Sequence, residues 1–111
     1  MATETVKSPS YVLPSANNLT TLYTVPSSTQ AVISTINVCN TASTDATYRI
    51  AVVPSGVSIT NANYLVYNAT ITGNETVAFT QGLTMAAGDV LSVFASTASV
   101  AFNAFKMEIT A

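Results

Sequence analysis

Histidine and tryptophan are absent from this 111-residue chain, cysteine occurs once, and charged side chains make up only 7% of it, three basic and five acidic. Each shortage closes a class of function. General acid–base chemistry near neutral pH draws mainly on histidine or on a carboxylate held against a partner, and a serine or cysteine nucleophile needs a base beside it. The five carboxylates, Glu4, Asp45, Glu75, Asp89 and Glu108, stand singly along the chain. An enzyme would require folding to pair two of them, with Asp45, Glu75 and Asp89 as candidates, and the sequence argues against one. No catalytic residue is assigned.

Zinc sites need clustered cysteine and histidine, and a calcium loop needs several carboxylates within about a dozen residues. Neither pattern occurs, so no metal or cofactor is expected. Lys7, Arg49 and Lys106 are too few to form the basic footprint of a nucleic-acid binder. Mean hydropathy is positive at +0.43, but threonine, serine and asparagine interrupt every apolar run well short of the roughly 20 residues of a spanning helix. No membrane partner is expected. The start, Met1-Ala2-Thr3-Glu4, has neither the basic nor the apolar region of a secretory signal. Synthesis and folding in a cytoplasm follow as the expectation. The triplets at Asn18, Asn68 and Asn74 fit a glycosylation acceptor, but an Asn- and Thr-rich chain produces them by chance. Cys39 has no partner for an intrachain disulfide and reads as a small buried side chain at a strand end.

What the chain does contain is β-branched, Ser, Thr and Ala residues in short alternating runs. Its length suits one domain. Residues 1–18 read as an extended N-terminal arm, because Pro9 and Pro14 bound a single apolar island, Tyr11-Val12-Leu13, in polar surroundings. Residues 19–111 read as the folded domain.

Strands are predicted at Leu22–Val25, Ala31–Cys39, Thr47–Val53, Tyr64–Ile71, Glu75–Thr80, Val90–Ala95 and Val100–Ile109, with Leu83–Met85 as a possible eighth. Pro26, Pro54-Ser55-Gly56, Gly73-Asn74 and Gly88-Asp89 mark the turns between them. Alternation places Val32, Ile36 and Val38 on one face and Ile33, Thr35 and Asn37 on the other. It sets Tyr48, Ile50 and Val52 against Thr47, Arg49 and Ala51. It also groups Leu65, Tyr67, Ala69 and Ile71. The nine aromatic residues are spread among the strands and read as core and cross-strand packing. The expected fold is an all-β antiparallel sandwich, jelly-roll-like, with seven or eight strands and no helix.

A surface this poor in charge has weak protection against association, which implies that copies of the chain or a larger assembly cover much of it. The candidate interface residues are Tyr11, Val12 and Leu13 in the arm, and Arg49, which reads either as an exposed ion-pair partner of Asp45 or Glu75 or as an interface anchor.

The runs Leu22–Pro26, Ala31–Asn40, Ala46–Val52, Asp89–Ser96 and Val100–Phe105 resemble a family of small virion proteins of tailed bacteriophages, particularly cyanophage-like ones. The resemblance covers roughly residues 19 to 109 and is carried by packing and turn sequences. It implies a virion structural component made in a bacterial host. A compact domain with a separate arm and no repetitive shaft favours a capsid decoration, or cement, protein on the capsid surface. Its partners would be the major capsid protein and copies of itself, as a homotrimer. The alternative is a tail, neck or fibre-associated protein, including one that binds host-surface glycans by stacking sugars on exposed Tyr23, Tyr64 or Tyr67.

Overall fold

Short apolar–polar alternations leave one face of each strand to be buried, and two such sheets bury their faces against each other. In a computed structural model, residues 3–110 are described. Met1, Ala2 and Ala111, at the outer limits of the expected arm and domain, lie outside the described residues. The structure is all-β and forms two antiparallel sheets. Its strands are β1 (Thr3–Val6), β2 (Ser10–Val12), β3 (Thr20–Thr24), β4 (Thr29–Asn40), β5 (Ala46–Val53), β6 (Tyr64–Ile71), β7 (Thr76–Phe79), β8 (Leu83–Met85), β9 (Val90–Ala95) and β10 (Val100–Thr110). A single 3₁₀ turn, Asn61–Asn63, precedes β6 among the described residues.

The first sheet is built on the long antiparallel pair of β4 and β10, which runs from Asn40↔Val100 to Thr29↔Thr110. β7 and β8 both pair with the free side of β4, while β1 and β2 both pair with the free side of β10. The second sheet has the order β3-β9-β5-β6. Ten strands thus stand where seven or eight are predicted, and the two additions, β1 and β2, come from the segment read as an arm. Their break falls at Lys7-Ser8-Pro9, where proline offers no ladder donor. Lys106 Nζ closes over this break by donating to Ser8 O at 2.6 Å and Ser10 Oγ at 2.9 Å.

The core lies between the sheets. Ala31, Ile33, Ile36 and Val38 of β4 and Val100, Phe102 and Ala104 of β10 meet Leu91, Val93 and Ala95 of β9, Ile50 of β5 and Ile71 of β6, all buried. Tyr48 packs its ring edge-on to Phe102, with centroids 6.3 Å apart. At one end, Asn40 is wholly buried and ties three loops together: Nδ2 donates to Thr44 O (2.7 Å), Ile71 O (3.3 Å) and Thr72 O (3.3 Å), while Oδ1 accepts from Ala42 N and Ser99 Oγ.

Two of the predicted face assignments are corrected. In β4, Ile33 and not Val32 joins Ile36 and Val38 in the core, because the pairing steps from Thr35↔Phe105 to Ile33↔Lys106 and passes over Ser34. That extra residue is a β-bulge, and it inverts the alternation on either side of it. In β6, Leu65 and Tyr67 are exposed and Val66 packs on the core. Here the bulge centres on Asn68, whose φ of 55° lies in the left-handed region that asparagine tolerates. The β5 assignment agrees with the structure, with Tyr48 and Val52 flanking buried Ile50. Cys39 is half-buried on the outer face of β4, not buried.

Candidate functional site

The outer face of the second sheet carries a compact aromatic and cationic cluster. Arg49 of β5 lies directly across from Phe94 of β9, since both occupy positions that alternate away from the core. The Asn68 bulge turns Tyr67 onto the same face, and Tyr64 sits opposite Ala51 one pair along. The Arg49 guanidinium lies 4.1 Å from the Phe94 ring centroid and 4.4 Å from that of Tyr67, with Tyr64 at 5.9 Å. Tyr64 and Tyr67 meet edge to face at 4.9 Å. Nε donates to Asn68 Oδ1 at 2.7 Å, so the bulge residue both redirects Tyr67 and fixes the guanidinium.

Neither Asp45 nor Glu75 is the partner of Arg49. Asp45 Oδ1 accepts from Gly73 N of the β6–β7 turn at 3.2 Å, and Glu75 Oε1 accepts from Thr72 N at 2.9 Å within its own turn. Lys7 with Glu108, at 3.9 Å, is the one ion pair among the described residues. Arg49 is therefore held in place by stacking and a neutral amide. Among the described residues no hydrogen bond or ion pair engages its Nη groups. Guanidinium planes restrained in this way suit flat, bidentate acceptors such as carboxylates.

The island Tyr11-Val12-Leu13 is divided by its pairing with β10. Val12 opposite Phe102 packs toward the core, whereas Tyr11, opposite Asn103, is 79% exposed and Leu13 is 56% exposed. Val6, in β1, is 82% exposed. It borders a groove of about 360 Å³ on the outer face of the first sheet, lined also by Val32, Ser34, Phe105 and Met107 and by the two lysines Lys7 and Lys106. Tyr11 and Arg49 belong to different sheets and are not brought together.

Of the tyrosines considered for sugar stacking, Tyr23 is buried and donates its phenol to Glu108 Oε2 at 2.6 Å. Burial, and then this bond to a carboxylate, push its pKa well above the usual tyrosine value. Lys106 Nζ lies 5.0 Å from the same ring, and its pKa is lowered by burial, an effect partly opposed by Glu108. Tyr64 and Tyr67 remain on the surface.

Sequence reasoning singled out Arg49 but missed its surroundings. It spread the aromatic residues over the strands, whereas Tyr64, Tyr67 and Phe94 converge on one face. The available signal was Phe94, which alternates with Ser92 against Leu91, Val93 and Ala95. Among the described residues no group of three or more Cys, Asp or Glu side chains is placed to hold a metal ion. No helix among them is long and apolar enough to cross a membrane. Compared with known proteins, the chain matches no protein-family model and none of the curated proteins.

Proposed function

We propose that this protein is a structural component of a bacteriophage virion, a capsid decoration protein that associates with copies of itself as a trimer and bridges major capsid subunits. The observation that carries this reading is the combination of exposed apolar side chains on the outer faces, Val6, Tyr11, Leu13, Leu65 and Tyr67, with the low charge of the chain as a whole. Apolar side chains exposed on both outer faces of so weakly charged a chain supply surface for contacts with other chains. Many weak contacts of this kind, each contributing about 25 cal/mol per Å² of apolar area buried, gain strength through repetition on a lattice.

The strand orders support the jelly-roll form of the sandwich. β10 lies between β2 and β4, and β9 lies between β3 and β5, so late strands interleave with early ones in both sheets. With β1 and β2 taken as one interrupted strand, and β7 and β8 as another, each sheet has four strand positions, as in jelly rolls of capsid and lectin domains. A tail- or neck-side placement with glycan binding is favoured by one observation, the edge-to-face pair of half-buried Tyr64 and exposed Tyr67.

The test is to mix labelled protein with separately purified heads and tails that lack it, sediment each, and count bound copies. Hundreds of copies per expanded head are expected. A handful on tails or necks and none on the shell would overturn the capsid assignment.

A further inference from the structure

Most of the charge in this chain is engaged within it. Asp45 bonds the β6–β7 turn and Glu75 its own turn, while Asp89 accepts from Ala86 N at 2.9 Å and Ser55 N at 3.1 Å. Glu108 takes the Tyr23 phenol and faces Lys7, and Lys106 donates to Ser8 O and Ser10 Oγ. Both lysines of the first-sheet groove therefore have partners. Arg49 differs: among the described residues only its Nε is bonded, and to a neutral amide.

The residues beside Arg49 form a small packed layer of their own. Ala51 is wholly buried yet stands apart from the core cluster between the sheets, and Ser92, paired with it across β9, is 6% exposed. Both alternate onto the outer face that carries Arg49 and Phe94. The guanidinium is thus set in a fixed surround, with Phe94 and Tyr67 against it and Asn68 on Nε. Tyr67, 54% exposed, and Leu65 of the same strand, 41% exposed, leave apolar surface open beside it.

The donors define the chemistry of what this face meets. A planar fork with free Nη groups takes a carboxylate through two parallel hydrogen bonds, and arginine with aromatic side chains is the composition enriched at protein interfaces. A sugar would call for amide and hydroxyl groups converging on its ring, whereas Asn68 Oδ1 is already bonded to Arg49. A second copy has four of its acids engaged as above. Its fifth, Glu4, lies on β1 beside the groove of Lys7 and Lys106, where a further cation is disfavoured.

We propose that the outer face of the second sheet is the side of this protein that meets the capsid, and that Arg49 there receives the carboxylate of an Asp or Glu exposed on a capsid subunit. Leu65 and Tyr67 form the apolar flank of the contact. This rests on the decoration reading above and names its face and the chemistry of its partner. The stacked guanidinium is already ordered, so little conformational freedom is lost when the pair forms.

Sedimentation of wild type, R49Q, R49E and R49K with purified heads that lack the protein, at low and high NaCl, tests it. Circular dichroism confirms that each variant is folded. R49Q and R49E are expected to weaken binding about tenfold or more, with R49K, which keeps the charge without the planar fork, between them and wild type. Binding of R49Q should also depend less on salt than that of wild type. A carbodiimide takes up the water released as an amine and a carboxylate join in an amide. Applied to heads carrying R49K, it is expected to link the introduced lysine to an Asp or Glu of a capsid subunit, read by mass spectrometry.

Equal binding of wild type, R49Q and R49E to heads would overturn this contact and leave the decoration reading standing. Failure of wild type to bind heads at all would overturn both. A link from position 49 to Glu4 of a second copy would assign the face to a contact between copies and overturn the capsid pairing. Retention of oligogalacturonate by wild type and not by R49Q, with head binding equal in both, would assign the face to an acidic sugar and overturn it likewise.

Discussion

Tyr23 and Glu108 are 85 residues apart in sequence and joined by a 2.6 Å hydrogen bond from phenol to carboxylate. The bond links β3 of the second sheet to β10 of the first at the end of the sandwich where the inward positions of β10 turn from Phe102 and Ala104 to Lys106 and Glu108. The apolar core gives way there to a polar seam.

Tyr23→Phe removes the donor and keeps the ring, so a loss of about 1.5–3 kcal/mol in urea unfolding at neutral pH is expected, the scale of a hydrogen bond to a charged group. The pH dependence has a defined sign. A phenol whose pKa is raised on folding stabilises fully below the unfolded tyrosine value, about 10, and that stabilisation is lost as pH climbs through the folded value. Lys106 acts in the opposite sense, because its lowered pKa makes burial of its charge less costly as pH approaches the ordinary lysine range. The difference between wild type and Tyr23→Phe isolates the tyrosine contribution and is expected to shrink above pH 10. Ultraviolet titration should show Tyr23 and Tyr48, both raised by burial, ionising late, with one late phase missing in the variant.

Asn40→Ala leaves the carbonyls of Thr44, Ile71 and Thr72 and the Ala42 amide without their buried partner. Unmet groups of this kind cost about 1–3 kcal/mol each when water cannot replace the bond. The variant is expected to lose about 2–4 kcal/mol in denaturant unfolding. Asn40→Leu should fare no better, since none of its hydrogen bonds would be restored.

Deleting Ser34 removes the extra residue of the β4 bulge. The halves of the strand would then share one continuous alternation, and either Ile33 and Ala31 or Ile36 and Val38 would turn outward. A fold that buries both sets cannot absorb this, because a one-residue slip exchanges the faces of a strand. Loss of the cooperative unfolding transition is expected. Ser34→Ala, which keeps the residue count and removes only the 3.2 Å bond to Phe105 O, should cost less than about 1 kcal/mol.

Gly73→Ala places a methyl group against the backbone carbonyl of Ser43, a contact that no side-chain rotation relieves. The turn between β6 and β7 must shift, which also disturbs the Gly73 N bond to Asp45 and the Asn74 N bond to Ala42 O. A loss of more than about 2 kcal/mol is expected by thermal or urea unfolding. Gly56→Ala, with open space around the position and φ of 75°, meets only backbone strain and should cost about 1 kcal/mol.

Tyr11→Ser with Leu13→Ser removes exposed apolar surface while leaving Val12 on the core. Stability of the single chain should change by no more than about 0.5 kcal/mol, as for other surface changes. Binding to particles is expected to fall if the island is a contact. A truncation beginning near Asn17 that still oligomerised and bound particles as tightly as the full chain would assign the contacts elsewhere.

Much of the fold is legible because its turns are written in proline and glycine and its inner faces in alternation. Val100, Phe102 and Ala104 show this in β10, and Leu91, Val93 and Ala95 in β9. The bulges are not legible in this way. Ser34 and Asn68 are small polar residues that pass for ordinary outward positions, and only the register of the neighbouring strand reveals that each is one residue too many. β1 has no hydrophobic signal, since its four residues attach to β10 through backbone bonds and leave every side chain exposed. Arg49 stood out by composition, but its aromatic surroundings depend on cross-strand register and on the Asn68 turn, neither of which is local in sequence.

The pairing of Thr3 with Thr110 has a consequence for the order in which the molecule is made. During synthesis, β1 and β2 leave the ribosome well before the strand they join, because β10 follows them about a hundred residues later. β4 must likewise wait for β10 along one full edge. The first sheet therefore completes only once β10 has been made, and until then the nascent chain carries an open β4 edge and an unattached β1–β2 segment. Both are surfaces on which a neighbouring nascent copy could pair in place of the chain's own last strand.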